Sequence, residues 1–297
     1  MPKVRANGID IEYESFGRQG DPAILLIMGF AAQMTMWQRS LCEGLARKSY
    51  RVIRFDNRDI GLSTHLDHLP APNPGELMAK RMSGQPVEVP YTLDDMADDA
   101  AALLKALGID KAHIVGASMG GMIAQLVAIN HPEATKSLIS VMSTTGRPDL
   151  PPARPEAMAA LVTPPASDSR ADRIAAGMNV VKVLGSPGFP DSDALLLEAV
   201  SAAVDRGPYD PAGVARQLAA IVAAPPRHET LKGVRAPSMV LHGEDDPIIP
   251  VAAGRDTAAS IPGAKLVVVP GMAHDFTESI VPLYLQHIGD FVASVDA

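Results

Sequence analysis

Cysteine is almost missing from this chain: the single Cys42 excludes an internal disulfide and a cysteine-built metal cluster, and its setting fits a small hydrophobe within a helix. Lysine and arginine never gather into a block. With 26 of them against 34 acidic residues the formal charge is -8, which argues against a nucleic-acid footprint and against polyanionic partners. Long apolar runs are missing too, the longest being residues 23–32, too short to span a bilayer, so no membrane partner is expected. Residues 1–20 lack the charged, apolar and small-residue succession of a signal peptide, and the expected compartment is the cytoplasm. No unit of roughly 20 to 50 residues repeats, which sets solenoids aside. His-Glu-x-x-His, Gly-x-Gly-x-x-Gly and a phosphate-binding loop are absent, so neither a metal nor another cofactor is expected. What is present, 297 residues of which 47% are hydrophobic and 20% charged, suffices for one large α/β domain with an excursion or for two smaller ones.

The apolar pattern starts with alternation over residues 4–16 around Asn7-Gly8, which predicts a hairpin with a type I′ turn. The continuous run 23–28 predicts a strand buried on both faces. A helix over 37–48, a strand over 50–55, a proline-broken irregular stretch between 65 and 91, and a helix opened by a Thr92-x-x-Asp95 capping box follow. Strands at 136–142, 238–242 and 265–269 and helices at 251–261 and 282–293 complete the pattern. Between residues 144 and 226 no strand is convincing. Helical patches at 170–184, 194–204 and 211–223, with Asp193 and Asp210-Pro211 as helix starts, predict a helical cap over 144–226 set into a core of 1–143 and 227–297. Strands alternating with helices imply a mostly parallel twisted sheet covered on both faces, with ligands gathering at the carboxyl ends of its strands.

The most informative stretch is His113-Ile114-Val115-Gly116-Ala117-Ser118-Met119-Gly120-Gly121, which reads as strand, tight turn and helix with Ser118 on the turn. Glycines on either side let two elements approach closely around a strained residue and aim the first N–H groups of the helix at whatever the serine attacks. A serine hydroxyl is a poor nucleophile until a base takes its proton, and the base needs an acceptor that fixes its tautomer. Two segments just beyond strands offer these groups: His242-Gly243-Glu244-Asp245-Asp246-Pro247-Ile248-Ile249-Pro250, and Pro270-Gly271-Met272-Ala273-His274-Asp275. Asp275 reads as a water-facing neighbour, and Arg58 and Asp59 as loop braces. Of the other histidines, His113 and His242 read as strand ends and His131 and His287 as helix residues, and none has a competing constellation. Met28, Met34, Met36, Met119, Met122 and Met272 fit core filling as well as pocket lining.

With these motifs the chain resembles the α/β-hydrolase family from its first strands to its last helix, most weakly over the cap. That resemblance implies an α/β-hydrolase fold with Ser118 as nucleophile, His274 as base and Asp246 rather than Asp245 as the acid, in the family's chain order. It also implies an oxyanion hole made of the backbone N–H groups of Phe30 and Met119. Asp56-Asn57-Arg58-Asp59-Ile60-Gly61-Leu62-Ser63 carries Asp59 where glycine usually stands, and with Ile27-Met28-Gly29-Phe30 it is similar to the anthracycline (aclacinomycin) methylesterase branch. Met28-Gly29 replaces the usual His-Gly pair, so a side chain that often braces the oxyanion loop is missing.

The expectation is a metal-free serine hydrolase that cleaves small to medium apolar carboxylic esters through an acyl-enzyme. The same triad also serves lactone opening, thioester hydrolysis, carbon–carbon bond hydrolysis and perhydrolysis. A slow-turnover ligand sensor is the alternative from another class. The elbow aspartate of haloalkane dehalogenases and epoxide hydrolases is absent, Ser118 standing in its place.

Overall fold

The computed structural model describes residues 2–297. The chain enters through the expected hairpin, β1 (Lys3–Ala6) and β2 (Ile9–Phe16), turned at Asn7 and Gly8, whose φ values of 45° and 78° give the left-handed pair a type I′ turn needs. There follow β3 (Ala23–Ile27), α1 (Arg39–Arg47), β4 (Arg51–Phe55), α2 (Pro74–Met82), α3 (Leu93–Ala106), β5 (Ala112–Ala117), α4 (Met119–Asn130) and β6 (Thr135–Val141). Then come α5 (Pro155–Val162), α6 (Arg170–Val183), α7 (Asp193–Arg206), α8 (Pro211–Ala223), β7 (Ser238–Gly243), α9 (Val251–Ser260), β8 (Lys265–Val269) and α10 (Val281–Asp296).

One sheet holds all eight strands in the order β1-β2-β4-β3-β5-β6-β7-β8. Strand β2 runs antiparallel to both β1 and β4, and the remaining pairings are parallel. Side-chain alternation then divides the core. Ile24 and Leu26 of β3 pack with Trp37, Leu41, Leu45, Tyr284 and Ile288 on the α1/α10 face, while Leu25 and Ile27 pack with Met96, Leu103 and Ile123 on the α3/α4 face. A strand covered on both sides has no polar position to offer, which is why 23–27 reads as an unbroken apolar run. The capping box at α3 forms as expected: Asp95 N–H donates to Thr92 Oγ1 at 3.2 Å, and Thr92 N–H donates to Asp95 Oδ2 at 2.7 Å.

Two expectations change. The stretch 65–91 is not irregular throughout, because α2 starts within it, with Asn73 accepting from the N–H groups of Gly75 and Glu76 and Pro74 at the first helical position. A proline there forfeits no hydrogen bond, so it opens a helix instead of breaking one. The same holds for Pro155 at the start of α5. His131 lies just past the end of α4, not within it.

The methionines with a choice between core and pocket are mostly core: Met28, Met34, Met119, Met122 and Met272 are all buried. Cys42 is buried as well, and burial pushes its thiol up to about 12. The native protein should therefore release no thionitrobenzoate from Ellman's reagent near pH 8, and one equivalent once unfolded in guanidinium. Prompt reaction of the native protein would contradict this packing.

Candidate active site

Ser118 joins β5 to α4 with φ 57° and ψ -122°. A serine there costs on the order of 1–3 kcal/mol and persists only where its surroundings enforce it. Close approach of backbones does so. A Cβ on Gly116 would stand 2.0 Å from Gly120 O, and one on Gly120 would stand 2.1 Å from Ile27 O, so no side chain fits at either position. From just past the end of β6, Ser143 Oγ donates to Ser118 O at 2.7 Å and holds the turn from the other side.

The loop after β7 carries Asp246 and the loop after β8 carries His274, both leaving the same edge of the parallel sheet as Ser118. His274 Nδ1 donates to Asp246 Oδ2 at 2.7 Å. Asp246 Oδ1 accepts from the N–H groups of Ile248 at 2.9 Å and Ile249 at 2.8 Å, so its fully buried carboxylate is oriented by its own loop. With its proton on Nδ1, His274 keeps Nε2 as the basic nitrogen. Among the described residues Ser118 Oγ and His274 Nε2 make no hydrogen bond to each other; such contacts commonly tighten only with substrate bound.

The loop after β3 lies against Ser118. A Cβ on Gly29 would stand 3.0 Å from Ser118 Cβ and 3.6 Å from its Oγ. Phe30 N–H and Met119 N–H have no acceptor among the described residues. Two donors without acceptors beside a strained serine are free to hydrogen-bond an anionic oxygen. The loop is held by Asn57 Nδ2, which donates to Met28 O at 2.8 Å, and by Gln217 Oε1, which accepts from Ala31 N–H at 3.0 Å.

Two neighbours differ from their sequence reading. Asp275 does not face water: it is buried, accepting from Ser186 N–H at 2.7 Å and Ser186 Oγ at 2.6 Å, and burial pushes its carboxyl up. Ser186 Oγ also accepts from Ala273 N–H at 2.8 Å, and His274 N–H donates to Leu184 O at 3.0 Å, so the α6–α7 connection holds the His274 loop. His242 is more than a strand-end histidine, since its Nε2 lies 3.6 Å from Asp246 Oδ2 while donating to Ile249 O at 2.7 Å. Burial lowers its pKa and keeps it neutral. Asp245, exposed, accepts from Gly271 N–H at 2.9 Å and takes no part in the Asp246–His274 pair.

Arg58 and Asp59 brace loops as expected. Arg58 binds Asp99 through two hydrogen bonds of 2.6 and 2.7 Å, and Asp59 binds Arg216 of α8 through two of 2.8 Å. Asp59, His65 and Asp210 lie close enough to share a cation, but the Arg216 guanidinium already occupies that role.

Residues 22–278 match the family model described as alpha/beta hydrolase fold, and the chain belongs to that family. Among curated relatives, the rhodomycin D methylesterase DauP of Streptomyces sp. (strain C5) is 28% identical over 284 residues, covering 88% of this chain and 87% of its own. The 3-oxoadipate enol-lactonase 2 of Acinetobacter baylyi is 26% identical, covering 85% and 82%. Among solved structures, the meta-cleavage product hydrolase CumD of Pseudomonas fluorescens IP01 superposes with a TM-score of 0.75 at 20% identity over 99% of this chain and 98% of its own, a likeness of fold. No helix among the described residues is long and apolar enough to cross a membrane.

Proposed function

We propose that this chain is a serine hydrolase of carboxylic esters. Ser118 Oγ attacks the ester carbonyl as His274 Nε2 takes its proton, and Asp246 stabilises the resulting imidazolium. The oxyanion is held by the N–H groups of Phe30 and Met119. His274 then returns the proton to the leaving alkoxide, which departs as the alcohol. A water activated by the same histidine releases the acid and restores Ser118. The observation that carries the reading is the bonded Asp246–His274 pair on the sheet edge where a positive-φ serine meets two unpaired backbone donors. Residues 144–226 serve as the cap over a core of 1–143 and 227–297, and their alanine, leucine and valine content favours small to medium apolar groups.

The similarity to a methylesterase supports ester cleavage, and that to an enol-lactonase favours lactone opening as the second chemistry of the same groups. A fluorophosphonate probe should add one label, on the peptide containing Ser118. p-Nitrophenyl esters of rising acyl length should be hydrolysed with a short- to medium-chain optimum. Labelling elsewhere, or hydrolysis no faster than buffer for esters and lactones alike, would refute the proposal.

A further inference from the structure

The oxyanion loop lacks the histidine brace, yet it contains Ala31 at φ 53°, a left-handed conformation that a residue with a Cβ avoids unless something holds it there. Gln217 supplies the hold. Its Oε1 accepts from Ala31 N–H at 3.0 Å and its Nε2 donates to Arg58 O at 2.8 Å, so one fully buried amide spans two core loops from α8. Its own place is fixed, because the preceding Arg216 grips Asp59 and Arg58 grips Asp99 of α3. The geometry matters for chemistry because the peptide joining Phe30 to Ala31 is planar. Pinning Ala31 N–H fixes that plane and, through the Phe30 backbone, the direction of Phe30 N–H.

We infer that Gln217 is a positioning residue for the oxyanion hole, carried not by the core but by α8, so that the hole is complete only while α8 is docked. The inference rests on the serine-hydrolase reading of Phe30 N–H. It extends that reading to a residue that never meets the substrate.

Three measurements on the whole folded protein test it: kcat and KM for p-nitrophenyl butyrate, the affinity for an alkylboronic acid, and amide hydrogen exchange over residues 28–33. Gln217→Met keeps length and burial but removes the amide; Gln217→Leu replaces it should that variant not fold. Gln217→Glu keeps an acceptor for Ala31 N–H. Misplacing one catalytic donor predicts an apolar variant with kcat lower by about 10- to 100-fold and KM within about threefold. It should bind the boronic acid more weakly by a similar factor and exchange faster over 28–33. Gln217→Glu should stay at least about fivefold more active than the apolar variant.

Unchanged kcat in the folded apolar variant overturns the inference, as does a loss shared equally by Gln217→Glu. If wild type turns over no faster than Ser118→Ala, the serine-hydrolase reading itself fails and takes the inference with it. If Ser118 is required but Gln217 is not, the inference alone falls.

Discussion

Ser118→Ala and His274→Ala should each lower kcat/KM for p-nitrophenyl esters by at least about three orders of magnitude, and the double variant should fall no further. In the proposed mechanism nucleophile and base act in one proton transfer, so removing either removes the step. Three decades correspond to about 4 kcal/mol of transition-state stabilisation. The residual rate would come from the Phe30 and Met119 N–H groups, which neither change touches. Thermal unfolding run beside the kinetics separates chemistry from folding, since alanine at 118 keeps the same backbone strain. Additive losses in the double variant would show that His274 and Ser118 do not work together. Retention of activity by Ser118→Ala would remove the nucleophile from the mechanism.

The largest effect on stability should come from Asp59→Ala. Its partner Arg216 is 1% exposed, and the change leaves a guanidinium buried with only the more distant Asp210 at 3.6 Å and the exposed Asp67 at 3.9 Å as counter-charges. Breaking a buried pair from one side typically costs about 3–5 kcal/mol, because the orphaned charge stays desolvated. For a chain of this size that lowers Tm by about 6–15 °C. Asp205→Ala is the control, since Arg170 and Asp205 are bonded as closely but more than half exposed, and solvent screening leaves an exposed pair little to contribute. Replacing both partners, as Asp59→Leu with Arg216→Met, should recover part of the loss by leaving no charge to bury. Urea midpoints decide the matter: equal shifts for Asp59→Ala and Asp205→Ala would mean that the Asp59–Arg216 contact contributes no more than a surface pair.

Much of this architecture is written locally. An apolar run is what a strand covered on both faces must be, so β3 and β7 are visible as such, and a Thr–Asp pair three residues apart marks the start of α3. The turn at Ser118 is equally legible, because backbone contacts near 2 Å admit only glycine at 116 and 120. Proline misled the reading at α2, where a residue taken as a breaker stands at the one helical position that needs no N–H. Other features have no local signature at all. Ser186 and Asp275 meet across 89 positions of sequence and Gln217 and Ala31 across 186, so a buried carboxylate resembled a solvated one and a loop brace resembled an ordinary helix glutamine. Such contacts depend on where the α6–α7 connection and α8 come to rest, which no periodicity encodes.

The route of the chain across the sheet bears on how such a protein could be rebuilt. Every group placed in the proposed chemistry sits on or just after β3, β5, β7 or β8, whereas residues 144–226 depart after β6, which supplies none of them. A transplanted stretch from another hydrolase could therefore be spliced in without disturbing a single strand register. It would still have to bring an acceptor for Ala31 N–H, a carbonyl for His274 N–H and a hydroxyl for Asp275. A chimera designed only around the shape of its substrate chamber would inherit the donor's selectivity and forfeit the host's rate.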